Sequence, residues 1–171
     1  AVRSNAHTAR HCGMVMLDNG ATMLASCRGD CSIAVGLELM NGHLNVSEGA
    51  LSLAGGGAVS KNSTVNIRNS TTLIFSADGF FFAPAAVLTG AGSVVFGRST
   101  SNTEFVVPNL IAAPHLSMEL LPGARVTSAG ENLYVDVCDL SLSGAFTSST
   151  LSIRSSSNLT VHGGGILTAS D

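Results

Sequence analysis

From residue 43 to residue 76 the chain reads HLNVSEG, ALSLAGG, GAVSKNS, TVNIRNS, TTLIFS. Each piece is about seven residues long and pairs apolar side chains at alternate positions before a corner of Gly, Ser or Asn. Leu44 and Val46, Leu51 and Leu53, and Val65 and Ile67 are such pairs. Alternation over a few residues marks a strand with one buried face, and the small polar residues between pairs mark turns. No piece is long enough for a helix, and the step is too short for hairpins with ordinary loops.

A longer period overlies this pattern. Leu44 to Val65 is 21 residues, Leu51 to Leu73 is 22, Leu73 to Val94 is 21 and Val94 to Leu116 is 22. That spacing suits a coil of three short strands and three corners. Such a coil cannot bury its own inner face and must stack on the next. The expected fold is therefore an all-β parallel β-helix, or β-solenoid, with coils of about 21–22 residues. The alternative is a β-sandwich of short antiparallel strands.

Composition supports a packed chain. With 171 residues there is enough length for one domain with a real core. The chain has 19 glycines, 23 serines and 13 threonines, yet 45% of it is apolar, which excludes a disordered segment. A formal charge of -3 and one lysine, Lys61, argue against nucleic acid, whose phosphates require clustered cations. The apolar runs are far below a membrane span.

Residues 1–31 read as an irregular, disulfide-containing entering segment or cap, and residues 32–171 as the solenoid. Asp18-Asn19-Gly20 and Asn41-Gly42 are turn signals. Three consecutive glycines, residues 55–57, mark a corner where coils approach closely. Phe80, Phe81 and Phe82 cannot all face inward on a strand, so a protruding loop or aromatic plug is expected there. Residues 109–114 read as a longer connection closed by Pro114. The pattern is still running at residue 171, which suggests a slice of a longer protein or one subunit of a stacked assembly.

His43-Leu44-Asn45-Val46, Ala50-Leu51-Ser52-Leu53, Thr64-Val65-Asn66-Ile67 and Asn158-Leu159-Thr160-Val161 resemble the coils of parallel β-helices in secreted surface proteins. Autotransporter passenger domains and repetitive coat or filament proteins of unicellular eukaryotes are similar in style. The resemblance spans residues 32–168 and is architectural. It implies a rigid right-handed rod in an adhesin, coat or filament.

Four cysteines, Cys12, Cys27, Cys31 and Cys138, allow three full pairings. Cys27 and Cys31 enclose only Arg28-Gly29-Asp30, and a tight disulfide there is sterically feasible; Cys12 is the other candidate partner for either. Cys138, within an apolar strand, reads as a free buried thiol. The spacing lacks the C-x₂-C pairs of zinc sites, so no metal is expected. Arg28-Gly29-Asp30 is also the adhesive tripeptide read by integrins, and closure by flanking cysteines preorganises such a loop. The aromatic run Phe80, Phe81 and Phe82 is a second candidate contact surface.

Asn45, Asn62, Asn69 and Asn158 each head an Asn-x-Ser/Thr sequon, where a glycan could leave from a corner or an outward strand position. Catalytic groupings are thin. Glu119 and Asp139 are spaced to stack one coil apart near Asp136, but one lysine and scattered histidines supply little acid–base chemistry. No nucleophile elbow, zincin motif or phosphate loop is present, so neither catalysis nor a cofactor is expected. Thr71, Thr72, Thr100, Thr127, Thr147 and Thr160 keep no common register for a threonine ladder.

The expected function is structural: a glycosylated rod in an extracellular or cell-surface filament or coat. Its partners would be other proteins or further copies of the solenoid, with one bulge and the C-terminal coil at the contacts. The alternatives are an adhesin using Arg28-Gly29-Asp30 or Phe80–Phe82, and a carbohydrate-active enzyme on the same scaffold.

Overall fold

The computed structural model describes residues 3–4, 14–77, 79–97, 103–108, 110–128, 132–148, 150–153, 158–161 and 166–169. Among these residues every regular element is a strand. The strands stack in parallel as a β-solenoid, which excludes the antiparallel sandwich. The antiparallel exception is Arg3–Ser4, which lies along Met23 and Leu24 at one edge.

Each coil contributes three straight segments. The first face is an eight-stranded sheet running from Met14–Asp18 through Gly36–Met40, Gly57–Val59, Phe80–Phe82, Thr103–Val107, Ala124–Ser128 and Ala145–Ser148 to Ile166–Ala169. The other sheet supplies two faces, because its long strands turn a corner. His43–Leu53 pairs with Thr64–Ile67 through its first half and with Thr72–Phe75 through its second. The second face thus holds residues 22–25, 43–46, 64–67, 87–90, 110–113, 132–137 and 150–153, and the third holds residues 30–33, 50–53, 72–75, 93–96, 117–120, 139–142 and 158–161.

Alternation decides which side chains fill the interior. Leu51, Leu73, Val94, Met118 and Leu140 form one inward column, and Leu53, Phe75, Phe96, Leu120 and Leu142 form another. All are at most 2% exposed, and each such burial contributes about 1.5–3 kcal/mol. Leu44, Val65 and Leu88 do the same behind the second face. The expected inward residues Leu51, Leu53, Val65, Ile67 and Leu142 are buried; the side chain of Ile153 is outside the described residues. Phenylalanines make the middle coils dense: Phe75 stacks on Phe96 at 5.1 Å and meets Phe80 edge-on at 4.8 Å.

Three spacings read from the sequence are true register partners: Leu44 with Val65, Leu51 with Leu73, and Leu73 with Val94. The fourth slips by two, since Val94 pairs with Met118 rather than Leu116. Residues 110–113 are not an irregular connection but the start of the strand Leu110–Leu120. Its register against Asn132–Leu142 shifts between Ala113 and Ser117, with two more residues there than on the partner strand. Pro114, which has no N–H to give a ladder, and His115 are exposed in this excursion, while Leu116 turns fully inward.

Phe80–Phe82 is likewise no protruding loop. It is a rung of the first face, with Phe80 and Phe82 buried and Phe81 outward. The parallel ladders also reach back to Met14, so the segment expected as an irregular cap already contributes Met14–Asp18 and Thr22–Ile33 to the stack.

In the first three described coils, the corner between the first and second faces is built on an asparagine. Asn19, Asn41 and Asn62 all adopt positive φ, at 54°, 55° and 63°, and Asn62 donates from its side-chain amide to Asn41 Oδ1 at 3.4 Å. Asparagine tolerates this conformation better than other side chains. Behind the corner, buried Ser63 donates from Oγ to Leu39 O and accepts the Gly42 N–H. At the glycine-rich corner a Cβ on Gly57 would overlap the Leu37 carbonyl, so the coils can approach there only without a side chain.

Candidate functional site

The corner between the second and third faces of the first described coil is where unusual chemistry collects. Ala25 pairs with Val46 and Asp30 with Ala50, so Thr22–Ile33 spends five steps where its neighbour spends four. The extra step lets Arg28, Gly29 and Asp30 stand outward between Cys27 and Cys31. Cys27 and Cys31 are disulfide-bonded with Cα atoms 5.9 Å apart. Of the two partners that the sequence leaves open for Cys27, the structure joins it to Cys31; Cys12 and the side chain of Cys138 lie outside the described residues.

The loop divides cleanly between inside and outside. Cys27 is buried, Cys31 packs against the core, and Arg28, Gly29 and Asp30 are all exposed. Gly29 takes φ 112°, a value that side chains rarely adopt. Below the loop, Gly49 has φ 68°, and a Cβ there would run into the Cys27 and Gly29 carbonyls. The loop is thus seated directly on the backbone of the next coil. Ser26 Oγ donates to Glu48 Oε2 at 2.6 Å beside it.

From Asp30 and Cys31 a shallow groove of about 470 Å³ runs down the third face. Ser32, Ser52 and Ile74 form its floor, and Ser76 one side. The groove is shallow relief left by the small side chains of Ser32, Ser52 and Ser76 beside the larger Ile74. Ser52 Oγ and Ser76 Oγ share a hydrogen bond at 2.7 Å across neighbouring coils.

The remaining candidates are dispersed. Asn62 and Asn69 stand exposed at the two corners of the second face, and Asn45 is half-buried on that face. Asn158 pairs with Asp139 on the third face, its side chain outside the described residues. Phe80 and Phe82 are unavailable for adhesion because both are buried, leaving Phe81. Glu119 and Asp139 are not direct register partners: Glu119 faces Ser141 and Asp139 faces Ser117. Among the described residues no three His, Cys, Asp or Glu side chains gather as a metal cluster, and no helix is long and apolar enough to cross a membrane.

One outward column escaped the sequence reading. Met16, Glu38, Ala58, Phe81, Val106, Thr127 and Thr147 follow one another in register on the first face. Thr168 is the next register partner of Thr147. The signal that would have found this column is the coil-by-coil register, which varies with corner length.

Compared with known proteins, this chain matches no family, no curated protein and no solved structure.

Proposed function

We propose that this chain is a non-catalytic, rigid rod segment of an extracellular or cell-surface assembly such as a filament or coat, carrying N-linked glycans at exposed Asn62 and Asn69. The observation that carries the reading is the Cys27–Cys31 link at an exposed corner of a continuous dry stack. Structural disulfides persist in oxidising compartments, and a stack of coils on one core is suited to spanning distance. Thiol labelling and peptide mapping of native material should find Cys27 oxidised and a hexose-bearing peptide containing Asn62 or Asn69. Filaments or sheets should be seen by electron microscopy. A reduced Cys27 in freshly isolated protein, or dispersed single particles, counts against the rod reading.

The second reading is adhesion, favoured by the outward display of Arg28-Gly29-Asp30 on a closed loop. Asp30→Glu should abolish attachment of integrin-bearing cells to the immobilised protein while leaving its fold intact. Equal attachment to both proteins rejects this reading.

A further inference from the structure

We infer that the first face is a self-association surface that takes a second copy of this chain in an antiparallel, face-to-face arrangement centred on Phe81. One of its three supports, the placement of glycans, rests on the proposed reading as a glycosylated rod; the other two do not.

The first support is the outward column. Met16, Ala58, Phe81 and Val106 lie on one line down the face, with Met16 48% and Phe81 47% exposed. Phe81 stands between Ala58 and Val106, so a large side chain is flanked by smaller ones. A two-fold axis through this position brings the two Phe81 rings against each other, an aromatic contact at the centre of the interface. Two-fold pairing of one patch with itself is the usual form of a homodimer contact.

The second support is charge. Glu38 lies two rungs before Phe81, and the strand bearing exposed Arg125 lies two rungs after it. An axis along the strands through Phe81 inverts the order of rungs. It places Glu38 of each copy over the rung that carries Arg125 in the other. An axis along the rod keeps the order and sets Glu38 against Glu38. Electrostatics therefore selects the antiparallel arrangement. Glu104, next to Arg125 in register, falls opposite the glycine-rich third rung and meets no like charge.

The third support is access. Asn45 lies on the second face and Asn69 at its far corner, while Asn62 stands at the corner that borders the first face, so none of these sequons lies on a strand of the first face and only Asn62 reaches its rim.

The strip is narrow. Seven rungs at about 4.8 Å each, and strands of about 15 Å, give a few hundred square ångströms per copy, the range of weak reversible contacts. Sedimentation equilibrium of the oxidised chain should accordingly show a monomer–dimer equilibrium in the micromolar-to-millimolar range. Phe81→Ser should weaken it by about tenfold or more, with an unchanged melting curve because the side chain is outside the core. Glu38→Gln and Arg125→Gln should each weaken it by about twofold to fivefold, and the swap Glu38→Arg with Arg125→Glu should restore it. A chain that stays monomeric into the millimolar range overturns the inference, as does association indifferent to Phe81→Ser. Strengthening by Glu38→Gln overturns the antiparallel arrangement. Native material that still forms filaments or sheets with oxidised Cys27, from a chain that by itself stays monomeric or associates without regard to Phe81, sinks this inference and leaves the proposed function standing.

Discussion

The corner after Ala25 and the corner after Ala113 join the same two faces of the rod, and both are longer than the corner stacked on them. They absorb the surplus in opposite ways. After Ala113 the chain sends Leu116 into the core, leaving Pro114 and His115 at the surface. After Ala25 it throws three residues outward and fastens the base with Cys27 and Cys31. Burial holds the first excursion, and a covalent bond holds the second. A corner held by burial must give its best-packed side chain to the interior. A corner held by a disulfide can present Arg28, Gly29 and Asp30 to solvent. Of these two corners, the one that displays its residues is the one closed by a disulfide.

The contrast can be broken at Leu116 first. Leu116→Ala should destabilise the chain by about 2–5 kcal/mol, measured as a shift in the denaturant midpoint. A loss below the surface-substitution range would show that the excursion is held by something else. Next in size is Gly49→Ala. Its positive φ and the carbonyls above it leave no room for a methyl group, so a loss of about 1–3 kcal/mol is expected. Faster amide exchange at residues 27–31 should accompany it. Replacing both cysteines, Cys27→Ala with Cys31→Ala, should cost about 2 kcal/mol for a loop this short. Thermal melts with and without reductant check this, and the wild type under reductant should fall to the level of the double variant. Smallest is Arg28→Ala, within about 0.5 kcal/mol because the side chain is fully outside. A larger effect would mean that the displayed residues also hold the corner.

The legibility of this fold follows local contrast. Between residues 43 and 76, apolar residues alternate with polar ones, so strand faces and register could both be read from spacing. Before residue 32 the outward positions include Met14, Met16 and Leu24, so the two faces look alike in sequence and the coil is hidden. Phe80–Phe82 fails for the same reason: three identical residues show no alternation, although the backbone alternates normally. Leu116 misled the period because it is as buried as Met118, the true partner. The disulfide loop was legible because both of its ends are cysteine. The column through Met16, Phe81 and Val106 was not, since its alignment depends on every corner length between those residues.

The disulfide joins two residues of one coil, five apart counted inclusively, and fastens no coil to its neighbour. Under tension along the rod it is a bystander. Among the described residues, coils are held to each other by ladder hydrogen bonds, side-chain hydrogen bonds such as Asn62 to Asn41, and packing, so a pulled rod peels turn by turn. The turn from Leu44 to Val65 holds 21 residues. It occupies about 4.8 Å of rod and can extend to about 70 Å once freed. Each released turn therefore lengthens the tether more than tenfold and relaxes the force on those still stacked. Mechanically, such a segment is an extensible fuse in series with whatever it connects.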